Sequence, residues 1–245
     1  MKIIKYKKTS NRKYKVFLEN GDSITLHEDI ILKHNLLVTK QIDDIEEIKK
    51  YNDEYLIYDN TLKYLSTKMR CELEIRNYLK KTLTNENKID EIVNKLKESS
   101  LLNDRLYVKS YILDKTNLNK YGPNKLKNEL LRLNIDKDII DEEISKLDSN
   151  TINDNLKELI DKKIRLNRKY AGDVLKNKIL IELVNMGYSK EAISKILSEK
   201  DLSNNELYDK EYQKLYNKYK NKYSGSELEY FIKQKLYSKG LKKMQ

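Results

Sequence analysis

Metal and thiol chemistry have little to work with in this chain, which holds one cysteine, Cys71, and two histidines, His27 and His34. Zinc sites need several Cys or His ligands at close spacing, and these three are far apart. A single cysteine closes no intrachain disulfide, and that fits a reducing cytoplasm. On a helix, Cys71 reads as a small packing residue rather than as a nucleophile. His27, ahead of Glu28-Asp29, belongs to a strand-to-helix turn. His34 ends a short helix, where a cation is favoured. The six glycines are all isolated, so no Walker loop and no dinucleotide fingerprint exists. No apolar run approaches the ~20 residues that cross a bilayer, and the segment Met1–Lys8 is too charged for a signal peptide. The carboxylates face lysines along amphipathic helices, with no pocket to set two of them apart. No catalytic residue, cofactor, metal or membrane contact is expected, and enzyme activity is not; an enzyme acting on DNA would need a metal-binding carboxylate cluster.

What the chain has is a recurring signal. Asn52-Asp53, Asn103-Asp104, Asn153-Asp154 and Ser203-Asn204 fall about fifty residues apart, each ahead of an apolar-periodic run. Such residues accept hydrogen bonds from the free N–H groups of a helix start, so each pair reads as a cap. Asn134, Gly187 and Gly240 lie just past helical patterns at a second constant spacing, and both residue types tolerate the left-handed backbone that closes a helix. The spacing predicts a mainly α fold, with tandem three-helix repeats in an elongated array behind a small N-terminal β hairpin. Such an array offers a surface for a long partner.

Residues 1–27 read as the β element. Tyr14, Val16 and Leu18 alternate with polar neighbours, Asn20-Gly21 is a hairpin turn, and Ile24 and Leu26 resume the alternation. A lone hairpin is marginal in water, so a third strand from Ile3–Lys7 or packing on helices is expected. Two short helices, Glu28–His34 and Asp43–Lys50, complete the segment 1–50. The repeats are then expected at 51–100, 101–149 and 150–200, with a partial fourth of two helices at 201–245. Helices are predicted near 54–67, 70–82 and 87–98, then near 153–170, 173–186 and 189–199, and near 204–221 and 226–238. Ile75, Leu79, Ile89, Ile92, Val93 and Leu96, then Leu106, Val108, Tyr111, Ile112, Leu126, Leu130, Leu133, Ile139, Ile140, Ile144 and Leu147, then Leu175, Ile179, Leu183, Ile193, Ile196 and Leu197, and last Leu228, Phe231, Ile232 and Leu236 make the apolar faces by periodicity.

The formal charge of +11 invites a nucleic-acid reading. Yet only seven of the 50 basic residues are arginine, and Asn, Ile and Tyr abound, as AT-rich codons would produce. The charge permits DNA contact without demonstrating it. The 19 tyrosines read as amphipathic filler at helix edges, because stacking modules place aromatics on a compact sheet face.

Three stretches resemble the RecX family of recombination regulators. Leu62-Lys63-Tyr64-Leu65-Ser66 with Arg70-Cys71-Glu72-Leu73-Glu74-Ile75-Arg76-Asn77-Tyr78-Leu79 is similar to the family's Leu-Ser…Arg-Ser-x-x-Glu-Leu-x-x-x-Leu segment. Leu101-Leu102-Asn103-Asp104-Arg105-Leu106-Tyr107-Val108 is similar to its Leu-x-Asp-Asp-x-x-Phe/Tyr-Ala segment, and Tyr121-Gly122-Pro123-Asn124-Lys125-Leu126-Lys127-Asn128-Glu129-Leu130 to its Lys-Gly-Pro-x-x-Leu-x-x-Glu-Leu segment. The likeness is best over 54–147. Cys71, Ile75, Asn103 and Asn134 depart from the family's Ser, Leu, Asp and Gly, all of them packing or capping changes.

The resemblance implies a non-enzymatic modulator of the RecA recombinase. Such a protein lies along the groove of the RecA–single-stranded DNA filament and limits ATP hydrolysis, strand exchange and filament growth. An array of helical units touching several protomers at once would gain avidity from modest contacts, and lysines could add single-stranded DNA phosphates. The candidate contacts are cations of the second helices: Arg70, Arg76, Lys80, Lys81, Lys125, Lys127, Arg132, Lys176 and Lys178. Arg70, Lys125 and Lys127 are taken from the matched motifs; the others rest on helix position and charge. An ordinary solvated face is the competing reading. A monomer is the simpler expectation. The alternative function is a stand-alone basic helical-repeat DNA-binding protein.

Overall fold

The structure is a computed structural model that describes residues 1–243. Three strands come first: β1 (Ile3–Ser10), β2 (Lys13–Leu18) and β3 (Ser23–His27). The helices that follow are α1 (Glu28–Lys33), α2 (Leu36–Thr39), α3 (Ile45–Ser66), α4 (Glu72–Leu79), α5 (Glu86–Glu98), α6 (Asp104–Leu118), α7 (Pro123–Arg132), α8 (Lys137–Ser145), α9 (Ser149–Leu166), α10 (Gly172–Asn185), α11 (Lys190–Ser198), α12 (Asn205–Tyr219) and α13 (Gly225–Tyr237). Two compact units divide the chain within α6, between Tyr107 and Val108.

In the first unit the strands form an antiparallel sheet of order β1-β2-β3, with Tyr6 opposite Val16 and Val16 opposite Ile24. The β element is thus three-stranded, a hairpin extended by β1 along its free edge. The Asn20-Gly21 turn forms as its residues dictate: Gly21 has φ +89° and the Asn20 side-chain oxygen accepts from the Asp22 N–H at 3.1 Å. The alternation puts Val16, Leu18, Ile24 and Leu26 on one face, where Ile30, Ile31, Leu36, Ile42 and Ile48 cover them.

One expected break does not exist. The two helices predicted over 43–50 and 54–67 are one helix, α3, so the boundary expected at residue 50 falls inside it. Asp44 caps α3, accepting from the N–H groups of Glu46 and Glu47, and two acidic residues in the first turn suit the helix dipole. Asn52 is no cap. It is 5% exposed, and its side-chain oxygen accepts from the His27 N–H at 2.8 Å, tying α3 to the end of β3. Further along, Ile57, Leu62 and Leu65 pack on Ile75, Leu79, Ile89, Val93 and Leu96 of α4 and α5. Cys71, buried ahead of α4, donates its N–H to Glu74, and burial pushes its thiol pKa up.

In the second unit the helices continue as triplets. Asn204 caps α12 as expected, accepting from the Leu207 N–H at 2.8 Å. Asn153-Asp154, in contrast, lie inside α9, which starts earlier because Asp148 accepts from Asn150 and Thr151. The closing residues are as expected: Asn134, Gly187 and Gly240 have φ of +59°, +94° and +73°. Leu156, Ile160, Leu175, Ile179, Leu183, Ile193 and Leu197 form one core, and Ala171, Leu228, Ile232, Leu236 and Leu241 another.

A main-chain joint recurs between second helices. The Gly122 N–H, ahead of α7, donates to the Met186 carbonyl at the end of α10 (2.7 Å), and the Asn124 N–H donates to the Gly187 carbonyl (3.0 Å). At the equivalent place ahead of α10, the Ala171 N–H donates to the Lys239 carbonyl at the end of α13 (2.9 Å). The approach is close: a Cβ on Gly187 would lie 2.3 Å from the Lys125 nitrogen, and one on Gly240 would lie 2.0 Å from the Ala171 carbonyl oxygen. The glycines are required here for clearance as well as for their left-handed backbone.

Candidate functional site

The nine candidate cations divide between the two units. In the first, Arg70 is absorbed by the fold. Its guanidinium lies 3.4 Å from the Tyr64 ring centroid, and Tyr64 stacks on Tyr78 at 4.1 Å. The same group donates to the Tyr64 carbonyl, to Glu74 and to Thr67, leaving the side chain 11% exposed. Arg76 is likewise engaged, donating to Glu72 at 2.6 Å and to Asp90 at 2.7 Å. Burial works against the Glu72 carboxylate, but hydrogen bonds from Lys97 and Arg76 outweigh it and hold the pKa below the usual range. Lys80 makes an exposed pair with Glu86 at 2.9 Å, a contact worth little in water. Lys81 is exposed, and no ion pair engages it among the described residues.

In the second unit Lys127 pairs with Asp141. Arg132 is exposed and Lys176 half-buried, both without an ion pair among the described residues. Lys125 and Lys178 are differently placed. Lys125 Nζ sits 3.8 Å from the centroid of the Tyr121 ring, and Lys178 Nζ 4.3 Å from that of Tyr170. A second lysine faces each ring: Lys115 at 5.8 Å for Tyr121 and Lys169 at 5.3 Å for Tyr170. Hydrogen bonding from Lys169 and the charge of both neighbours hold the Tyr170 phenol below its ordinary pKa.

Local structure explains the repetition. Tyr121 and Tyr170 each stand one residue ahead of the main-chain joint, at Gly122 and Ala171. The Tyr121 N–H donates to the Lys115 carbonyl, and the Tyr188 hydroxyl donates to the Lys120 carbonyl, pinning the turn. Ahead of α10, Asn167 does this work: its side-chain oxygen accepts from the N–H groups of Lys169 and Tyr170, and its amide donates to the Tyr170 carbonyl. Sequence reasoning assigned all tyrosines to helix edges. That describes Tyr208 and Tyr212 of α12, half-buried against the α13 core, but not Tyr121 and Tyr170. The signal that could have found them is an aromatic before Gly122 and before Ala171, each followed by lysines on the helix it introduces.

No group of His, Cys, Asp and Glu among the described residues is suited to hold a metal ion. No helix among them is long and apolar enough to cross a membrane. A groove of about 790 Å³ runs beside α3 and α5, floored by Ile57, Leu83 and Ile92 and rimmed by Lys33, Lys50 and Lys95. Of the carboxylates that line it, Glu54 is paired with Lys88 and Glu46 with Lys49.

Residues 103–143, which span α6 to α8, match the model of RecX, second three-helix domain. Along nearly the whole chain the sequence is similar to proteins named Regulatory protein RecX. That of Bacillus cereus (strain 03BB102) is 32% identical over 97% of this chain and 92% of its own length, and that of Lactococcus lactis subsp. lactis 33% identical over 81% and 77%. The chain belongs to the RecX family. Its fold is similar to a crystal structure of regulatory protein RecX, with a TM-score of 0.65 at 23% identity over 80% of this chain and 98% of that one. A second, of RecX from Lactobacillus salivarius, gives 0.56 at 28% identity over 61% and 97%. The stretch that matches the RecX second domain carries Tyr121 together with Lys115 and Lys125.

Proposed function

We propose that this chain is a non-enzymatic regulator of the RecA recombinase in recombination and DNA repair. It binds in the groove of the RecA–single-stranded DNA filament and inhibits ATP hydrolysis, strand exchange and filament growth. The observation that carries this is membership of the RecX family over almost the full chain. The fold supports it physically, since successive helical triplets joined through the main chain present one kind of surface repeatedly, as a helical polymer does. The cations left without carboxylate partners (Lys81, Lys125, Arg132, Lys176 and Lys178) are the contacts favoured, whereas Arg70 and Arg76 act inside the protein. Many modest contacts to adjacent protomers add up through avidity, so a monomer suffices. The reading takes the successive helical triplets as working modules, the first of them sharing α3 with the N-terminal element, and the cytoplasm as the compartment.

The test is the DNA-dependent ATPase of RecA. Added at substoichiometric ratios, the purified chain lowers the rate. An unchanged rate and unchanged strand exchange at equimolar protein would overturn the assignment. A stand-alone DNA-binding role is the second reading, favoured by the absence of any acidic residue between Lys115 and Lys127. Tight binding to DNA alone at physiological salt, with no effect on RecA, would select it.

A further inference from the structure

Tyr121 and Tyr170 share a place, a backbone setting and a flanking pair of lysines. None of those four lysines has an ion pair among the described residues. The surrounding charge is lopsided at both positions. Between Lys115 and Lys127 the acidic count is nil, and the other two lysines there, Lys120 and Lys127, are neutralised by Glu158 and Asp141. Between Arg165 and Lys178 stand Arg165, Arg168, Lys169, Lys176 and Lys178 against one carboxylate, Asp173. Beside Tyr121 the other cations are neutralised, beside Tyr170 cations outnumber carboxylates, and at both places the lysines on the ring stay free of ion pairs among the described residues.

We infer that Tyr121 and Tyr170 are two stacking steps for unpaired bases of a single nucleic-acid strand, with Lys115, Lys125, Lys169 and Lys178 receiving the flanking phosphates. Both tyrosines are half-buried; lysine over such a ring is a modest contact, and a stacked base is worth more. The exchange is favourable because the displaced ammonium moves from the ring to a phosphate. Every base has a π face, so this readout is tolerant of sequence. A duplex hides those faces and offers only phosphates. Stacking needs a ring held still, which the bonds from Asn167 and the main-chain joints supply. The inference names the nucleic-acid side of the surface proposed above and rests on that reading for its biological setting alone.

The experiment measures binding of a fluorescein-labelled oligo(dT) to the full chain without RecA, at two salt concentrations, alongside a duplex of equal length. The single strand binds more tightly than the duplex. Tyr170→Leu and Tyr121→Leu each weaken it about tenfold, or about 1.4 kcal/mol, while Tyr170→Phe restores wild-type affinity and Tyr216→Leu leaves it unchanged. Lys169→Ala with Lys178→Ala flattens the salt dependence by about 0.7 per lysine. Melting curves confirm that each variant is folded. Leucine variants within twofold of wild type, equal affinity for duplex, or no binding to the single strand at low salt would each overturn the inference. The RecA ATPase assay on the same preparations scores the other reading separately, since either result can fail while the other stands.

Discussion

At the scale of single residues, the fold depends on a few backbone positions where no side chain fits. Gly187 and Gly21 separate two costs usually merged. Both have positive φ, but a Cβ on Gly21 meets nothing within 4 Å whereas one on Gly187 runs into the Lys125 backbone. Gly21→Ala therefore costs about 1 kcal/mol of backbone strain. Gly187→Ala costs that plus the opening of the joint to Gly122, roughly 3 kcal/mol or more. Thermal melts of the two variants check this, and equal shifts would contradict the steric argument. Asn52 and Arg70 make a related point about legibility. From sequence alone each carries its commonest meaning, a helix cap and a surface cation. Each is instead drawn inward by a partner remote in the chain or hidden by folding: the His27 N–H for Asn52, and the face of Tyr64 with Glu74 for Arg70. Local pattern cannot supply those partners.

At the scale of elements, what was legible was whatever depends on near neighbours. The β alternation, the Asn20-Gly21 turn, the capping of α12 by Asn204 and the left-handed closures at Asn134, Gly187 and Gly240 follow from residues close in sequence. The break expected within α3 and the start of α9 were misjudged for one shared reason. In each, an earlier aspartate, Asp44 or Asp148, already serves the free N–H groups, so the later Asn-Asp pair is overrun by the helix. The link between α12 and α13 carries a pH prediction. Lys239 hydrogen-bonds Glu211 and holds that carboxylate below its ordinary pKa. A depressed pKa in the folded state contributes stability above the unfolded value, and it is lost as pH falls through the folded one. Acid titration should thus loosen α12–α13 below the ordinary glutamate range. Glu211→Gln should remove that part of the acid sensitivity and cost about 1 kcal/mol at neutral pH. Hydrogen exchange of the α13 amides at pH 7 and pH 3.5 measures it, and an identical pH response in the variant would refute it.

For the molecule as a whole, the net charge of +11 does not say which cations a partner can reach. Salt bridges within the fold occupy Arg76, Lys127 and many other cations, while Lys81, Lys125, Arg132 and Lys178 keep their charge uncompensated. Affinity for a nucleic-acid strand should then fall with salt as though only a handful of phosphates were neutralised, a slope of about −0.7 for each. A log–log titration from low to physiological salt reads that slope directly. A value near ten or steeper would mean that cations beyond the candidate site also engage. The candidate site was half legible: Lys125 and Lys178 were named from charge and helix position, but their tyrosines were not, because the rings gain meaning only from the lysines folded over them.

The two main-chain joints have a mechanical consequence. Helix α10 is gripped at both ends, its last turn by the residues ahead of α7 and its entry by the last turn of α13. A pull on the Tyr121 turn would travel through peptide groups into α10 and out toward Lys239, bypassing the flanking helices. Force spectroscopy on this half of the chain should see α7, α10 and α13 give way together, like links of one tether.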